Sequence, residues 1–438
     1  MTPGVTPLVA GNWKMNGTAA SLDEIRDVCA GLDAESTLPH ETLLCVPSTL
    51  IERAAGVAAE SALAIGAEDC HEKESGAHTG DVSAEMIADA GLVPEIARTD
   101  ENTPLVRTAL DARLVAIAEQ YGRSALFMGE DMEISGAFGM NIPLKVAGHS
   151  DLLLDMPLSE ALIIHSATGA ALAGMRAMAE IQFGGFAALG MNALVNNASM
   201  LRWRWGADVP LVVRIPLGAK TRSGPFHANM IESWFANDPG LVILFPSTPQ
   251  DAYDLLVEAA ALPDPVVYLE HLGMYGLRGG KTGWGDNINQ VVDTESVHAH
   301  RKGGDGPYKL GKAEVIRGGD AATVVTWGAM VHVCEQGIRD SEVACDLIDL
   351  QTLVPWDRDA VVDSVNKTGR CVIVHEAPKT SGFGAEMAAS VQERCFYSLE
   401  APIERVTGWD TPFPHSTEWD YMPGPSRIAE AIQRTQEA

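Results

Sequence analysis

Positive charge is scarce in this chain. Its 438 residues carry 31 Lys and Arg against 59 Asp and Glu, a formal net charge of −28. A surface that negative repels phosphate backbones and anionic lipid, which argues against nucleic acid and membrane surfaces as partners. Long apolar runs are missing too. The best, at 161–174, is too short for a membrane span and is interrupted by His165, Ser166 and Thr168. The opening, MTPGVTPLVAGNWKMNG, has neither a basic stretch nor an apolar core, so it does not read as a secretion signal. The seven cysteines (29, 45, 70, 334, 345, 371 and 395) include no Cys-x-x-Cys pair. That scatter argues against a disulfide framework and a zinc site, and points to reduced thiols in the cytoplasm.

What is present is ordinary globular material, 46% hydrophobic and 21% charged. The first 91 residues alternate apolar β-rich runs (8–13, 41–46, 63–68) with amphipathic stretches (21–32, 50–59, 83–90). Consecutive βα units predict a parallel sheet with right-handed crossovers. Residues 92–104, with prolines and charges, read as a linker. A helix is predicted over 105–121 and a strand over 124–128, followed by buried strands at 211–215, 241–245 and 265–269. Residues 276–312 turn Gly-, Asn- and Lys-rich without apolar periodicity, the mark of a long connection. A last α/β block, 313–438, has strands near 322–326, 344–349 and 371–375.

Two local patterns fail on their chemistry. GGKT at 279–282 has Tyr275 where a phosphate-binding loop needs its first glycine. His71 and His78 have no third metal ligand at turn or helix spacing, and read as solvated loop residues.

AGNWKMNG at 10–17 and GAEDCHEKESGAHTGDVSAEMIADAG at 66–91 resemble the first part of triosephosphate isomerase. The resemblance implies that Asn12 and Lys14 stand at the end of a first barrel strand, where an ammonium would stabilise a phosphorylated enediolate. The family's GHSERR-type and YEPVW-type segments, which bear its His and Glu, do not occur. Gly148, His149 and Ser150 echo the first, but Asp151 and a leucine run follow. Three βα units cannot close a barrel, so isomerase activity is the least favoured reading. A fusion remnant with exposed strand edges is the alternative, and such edges invite association.

Residues 103–438 resemble the beta subunit of thiamine-diphosphate-dependent 2-oxo-acid dehydrogenases of the pyruvate, branched-chain or acetoin type. The motifs run in order: FMGED (127–131), DMPLSE (155–160), AEIQF (179–183), FHANMIESWFANDPGL (226–241) and FPSTPQDA (245–252). IDLQTLVPWD (348–357), KTGRCVIVHEAP (367–378), LEAPIERV (399–406) and DTPFPH (410–415) follow. The implied fold is α/β throughout: a partial TIM-barrel-like segment (1–91), a pyrimidine-binding domain (105–275) and a transketolase C-terminal-like domain (313–438).

By this resemblance Glu160 hydrogen-bonds the cofactor's pyrimidine nitrogen and promotes its imino form, an acid–base role. An acid there is also favoured by the helix macrodipole alone. Phe186 is the ring on which the pyrimidine stacks. His227 faces the oxo acid and the lipoyl group as proton donor. Glu130 lies near the tunnel between active sites, where a solvated strand-end acid fits equally well.

The family reads His-Ser-Gln where this chain has His227, Ala228 and Asn229, a change that removes a hydroxyl and shortens an amide beside that histidine. His165 replaces a glycine, a bulky group in a close-packed helix. His415 and Glu418 read as surface polar residues. No strand with Gly-Asp-Gly and a following Asn exists; Gly304, Asp305 and Gly306 lack both the strand and the Asn. The diphosphate and magnesium are therefore implied to rest on an alpha subunit in an α2β2 heterotetramer, which delivers acyl groups to a lipoyl acyltransferase core. The competing reading is a catalytically inactive interaction or assembly protein.

Overall fold

A computed structural model describes residues 8–13, 21–33, 41–59, 61–67, 105–133, 141–219, 224–275, 310–415 and 417–437. The chain divides into two units, Met1–Glu101 and Asn102–Ala438.

In the first unit β1 (Leu8–Asn12), β2 (Glu41–Val46) and β3 (Leu63–Ala67) form a parallel sheet in that order. Helix α1 (Leu22–Asp33) buries Leu22, Ile25 and Cys29, three- and four-residue spacings that make one apolar stripe. Helix α2 (Ile51–Ala58) adds Ile51, Ala54 and Ala58, and the two stripes close on Val46, Leu63 and Ile65 of the sheet. The parallel pairing with intervening helices is the one expected for the βα units of 1–91. Among the described residues no further strand joins either edge. The predicted helix at 83–90, with His71 and His78, lies outside the described residues, as do the 279–282 and 304–306 patterns.

The second unit holds two sheets. Strands β4 (Ala125–Gly129), β5 (Leu153–Asp155), β6 (Arg176–Glu180), β7 (Leu211–Leu217), β8 (Val242–Leu244) and β9 (Val266–His271) belong to the larger. Strands β10 (Glu314–Arg317), β11 (Ala322–Thr326), β12 (Cys345–Asp349), β14 (Cys371–Pro378) and β15 (Glu404–Gly408) form the smaller, in the order β10-β12-β11-β14-β15. The larger runs β13-β8-β9-β7-β6-β4-β5 and is parallel except for β13 (Thr352–Val354). Every residue of β7 and β9 is buried, as a parallel sheet covered on both faces requires. Helices α3 (Leu105–Tyr121), α4 (Glu160–Leu172), α5 (Ala187–Val195) and α6 (Pro249–Ala261) accompany the larger sheet. Helices α7 (Met330–Ser341), α8 (Arg358–Thr368), α9 (Phe383–Cys395) and α10 (Pro425–Glu437) accompany the smaller.

β13 is the unexpected element. It lies in the last sequence block, yet it pairs antiparallel with β8 of the larger sheet, and Phe245 N–H donates to the Gln351 carbonyl at 2.7 Å. Phe245, Trp327, Ile348 and Leu353 then share one apolar core across both sheets. Among the described residues no helix is long and apolar enough to cross a membrane.

Candidate active site

Open parallel α/β sheets bind ligands at the carboxyl ends of their strands, because there the connecting loops diverge and leave a crevice. The four residues singled out in 105–438 come from that edge of four neighbouring strands, β5, β4, β6 and β7. Glu160 follows β5, Glu130 follows β4, Phe186 follows β6 and His227 follows β7.

Two clusters result. On one side stand the acids. Glu160 is the first residue of α4, after an extended Ser159, where the helix dipole favours a negative charge. It is 6% exposed and its carboxyl makes no side-chain hydrogen bond among the described residues. Burial first, then the charges of Glu160 and Asp131, push the Glu130 carboxyl up to about 7. Glu130 is therefore about half protonated near neutral pH.

On the other side stand the rings. Phe183 and His227 meet edge to face with centroids 4.3 Å apart, Phe186 and His227 at 5.5 Å, and Phe183 and Phe186 at 5.8 Å. Gln182 Nε2 donates to Asp131 Oδ2 at 3.1 Å and bridges the two clusters.

Glycines set the close approaches. A Cβ on Gly184 would lie 2.8 Å from the Asn229 carbonyl oxygen, and one on Gly185 would lie 2.7 Å from that of Phe226. Only hydrogen at both positions lets the turn bearing His227 lie against the loop after β6. On the acid side, a Cβ on Gly190 would come 2.3 Å from Ile164 Cδ1, which draws α5 onto α4 beneath Glu160.

His165 does not crowd this contact as expected. It is exposed and its Nδ1 lies 3.1 Å from Asn197 Nδ2. Glu418, expected at the surface, is buried. In the first unit Asn12 ends β1, and Lys14 lies outside the described residues.

Phe183 was part of a quoted motif but carried no assigned role; a lone Phe in a strand-end motif gives no sign of which ring it will meet. Glu232, inside the 226–241 motif, was missed as well. It is fully buried at the junction of the two sheets. Burial, then the Glu376 charge, push its carboxyl up to about 7. Glu376 accepts from the Ala219 N–H at 2.7 Å and pairs with His271 Nε2 at 2.7 Å.

The unfolded chain loses the Glu232 proton near 4.5, whereas the folded chain keeps it to about 7. The folded state binds more protons between those values, so this residue's contribution to stability is lost as pH rises through 7. A Glu232→Gln variant should therefore gain on the parent by about 3 kcal/mol between about pH 4 and pH 8, read by urea unfolding at several pH values. An unchanged difference across that range would remove Glu232 from the account.

Residues 103–276 match the pyrimidine-binding domain of transketolase, residues 311–428 its C-terminal domain, and residues 7–96 triosephosphate isomerase. The 2-oxoisovalerate dehydrogenase subunit beta of Pseudomonas aeruginosa is 40% identical over 337 residues, 76% of this chain and 93% of that protein. The chain belongs to the beta subunits of the 2-oxo-acid dehydrogenases. The 3-methyl-2-oxobutanoate dehydrogenase subunit beta of Mycobacterium tuberculosis is 37% identical over 80% of this chain and 98% of its own length. The beta subunit of the pyruvate dehydrogenase E1 component of Leifsonia xyli is 36% identical, over 76% and 95%.

Among solved structures, a split-gene transketolase described as an inactive beta4 tetramer superposes with a TM-score of 0.56. It is 18% identical and covers 76% of this chain and 98% of its own, a likeness of fold alone. Both expected resemblances, and the α/β architecture with its two transketolase-type domains, are borne out.

The beta-subunit family and its pyrimidine-binding domain imply thiamine diphosphate, with magnesium bound through the alpha subunit. The residues present fit the pyrimidine half of that cofactor. A buried carboxyl with no side-chain hydrogen bond among the described residues and a ring cluster lie at the same strand edge, and Gly184 and Gly185 keep the crevice wall close.

Proposed function

We propose that this chain, with an alpha subunit, carries out the oxidative decarboxylation of a branched 2-oxo acid and transfers the acyl group to lipoamide. The observation that carries the reading is the origin of Glu160, Glu130, Phe186 and His227 at the carboxyl edge of four adjacent strands. The substrate class rests on the relatives: 2-oxoisovalerate and 3-methyl-2-oxobutanoate are two names for one branched 2-oxo acid.

Thiamine diphosphate, when bound, supplies a nucleophilic carbon and a sink for the electrons released with carbon dioxide. Glu160 hydrogen-bonds the pyrimidine ring nitrogen and passes a proton to and from it. Phe186 offers a face for stacking, worth about 0.5–1.5 kcal/mol beyond burial. His227 donates a proton toward the oxo acid and the lipoyl sulfur. Glu130, half protonated near neutrality, stands beside Glu160 on the acid side of the site. The alpha subunit holds magnesium and the diphosphate, giving an α2β2 assembly with each site shared.

The block 313–438 supplies dimer contacts and the face for the acyltransferase core. We place the domain limits at 1–91, 105–275 and 313–438, with linkers at 92–104 and 276–312, and the protein in the cytoplasm. No disulfide joins the described cysteines, which supports that location. The first unit, with Asn12 and Lys14, is read as an isomerase remnant without isomerase activity.

The test mixes the full chain with a cognate alpha subunit, thiamine diphosphate and magnesium. It then follows reduction of an artificial electron acceptor that depends on the branched oxo acid. Turnover supports the reading. A stable complex without turnover would favour the inactive assembly protein, for which the replacement of Ser and Gln by Ala228 and Asn229 speaks.

A further inference from the structure

We propose that His415, from the last sequence block, is a positioning residue for His227. Gly224 has φ +73°, a left-handed conformation that disfavours any side chain. At the place where its Cβ would stand, the imidazole of His415 already lies, with Cε1, Nε2 and Nδ1 at 2.1, 2.3 and 2.4 Å. The glycine thus receives the ring from a residue 191 positions away in sequence.

What Gly224 holds in turn is the backbone of His227. It opens the short 3-10 turn Gly224–Phe226. Its carbonyl accepts the N–H of His227 at 3.4 Å and that of Ala228 at 3.2 Å. The far side of the same turn rests on Gly184 and Gly185, against the backbone of Asn229 and Phe226. The turn is therefore clamped from two directions, by the loop after β6 and by His415. Phe413, two residues before His415, is buried against Tyr421 with ring centroids 4.7 Å apart, so the clamp is anchored in the smaller sheet's core.

The consequence is functional. The C-terminal block contributes none of the four residues at the strand edge, yet through His415 it fixes where one of them points. Small displacements of a reacting group lower rates steeply while leaving distant binding contacts intact. This inference rests on the reading of His227 as the proton donor.

The test compares the parent with His415→Ala, His415→Phe and Gly224→Ala in the full chain assembled with its alpha subunit. Two quantities are read. One is kcat and KM for the oxo acid with lipoyl acceptor. The other is the rate at which diethyl pyrocarbonate modifies His227, followed by peptide mass in the chain alone.

His415→Ala should lower kcat about tenfold with KM changed less than about twofold, and should speed His227 modification several-fold. His415→Phe keeps a planar ring over Gly224 and should restore both, because that ring is what holds the turn. Should His415→Ala fail to assemble, Gly224→Ala puts the same question, since its methyl group would expel the ring. Unchanged modification of His227 in His415→Ala and in Gly224→Ala would overturn the proposal. Faster modification together with full activity in a His227→Ala variant would keep the positioning and overturn the catalytic reading of His227 instead.

Discussion

Replacing Glu160 by glutamine in the assembled enzyme should lower oxo-acid-dependent dye reduction by about a hundredfold to ten-thousandfold, the range that proton transfer by a positioned side chain supplies. The sequence leading to it explains why. Pro157 cannot continue a ladder, and Ser159 is extended at the N-cap of α4, so the helix begins at Glu160, with an acid in its first turn where the dipole favours negative charge. Burial to 6% exposure keeps bulk water from doing the same task.

Glutamine keeps the size and one hydrogen bond but cannot give or take the proton. The structural loss is small by comparison, about 0.3–1 kcal/mol for an acid at a helix start. Assembly with the alpha subunit and the melting temperature of the variant should therefore stay close to the parent's. A variant that folds, assembles and retains more than about a tenth of the rate would remove Glu160 from the acid–base role.

Much of this site was legible because the residues lie in compact motifs at strand ends. FMGED puts Glu130 one residue past β4, and DMPLSE puts Glu160 at a helix start, both readable from an apolar run followed by a break. The strands at 211–217, 266–271, 322–326 and 371–378 read as largely apolar runs, since both faces are covered.

The less legible parts share a cause. β6, Arg-Ala-Met-Ala-Glu, is bracketed by charges: Glu180 pairs with Arg214 inside the protein, and half-buried Arg176 donates to the carbonyls of Ala261 and Leu262. β13 is a short strand whose partner lies more than a hundred residues earlier, and no local pattern announces a partner at that distance. The same holds for Phe183 beside His227 and for His415 over Gly224: composition shows a ring, and only the fold shows what it touches.

The other large effect should come from beneath the site. Arg214 on β7 donates through Nη1 to Glu180 Oε2 at 2.9 Å, and through Nε and Nη2 to the two Glu270 oxygens at 3.1 Å. Arg113 on α3 also pairs with Glu270, through Oε1, and donates to the Tyr268 hydroxyl at 2.9 Å. Two cations and two anions balance, and all four side chains are 2% exposed or less.

A charge taken out of water is costly unless it is paired, so Arg214→Met leaves two buried carboxylates facing one guanidinium. The expected loss is about 3–5 kcal/mol, read by chemical unfolding at neutral pH. Glu180 also lies directly under Gly129, where a Cβ would be 3.0 Å from its own Cβ, so the strain reaches the residue before Glu130 and should slow turnover as well.

Adding Glu180→Gln to Arg214→Met restores the charge balance, one cation to one anion, and should recover a good part of the stability. If the single variant were as stable as the parent, or the double variant less stable than the single, charge balance would not be what holds β6, β7 and β9 together at this edge.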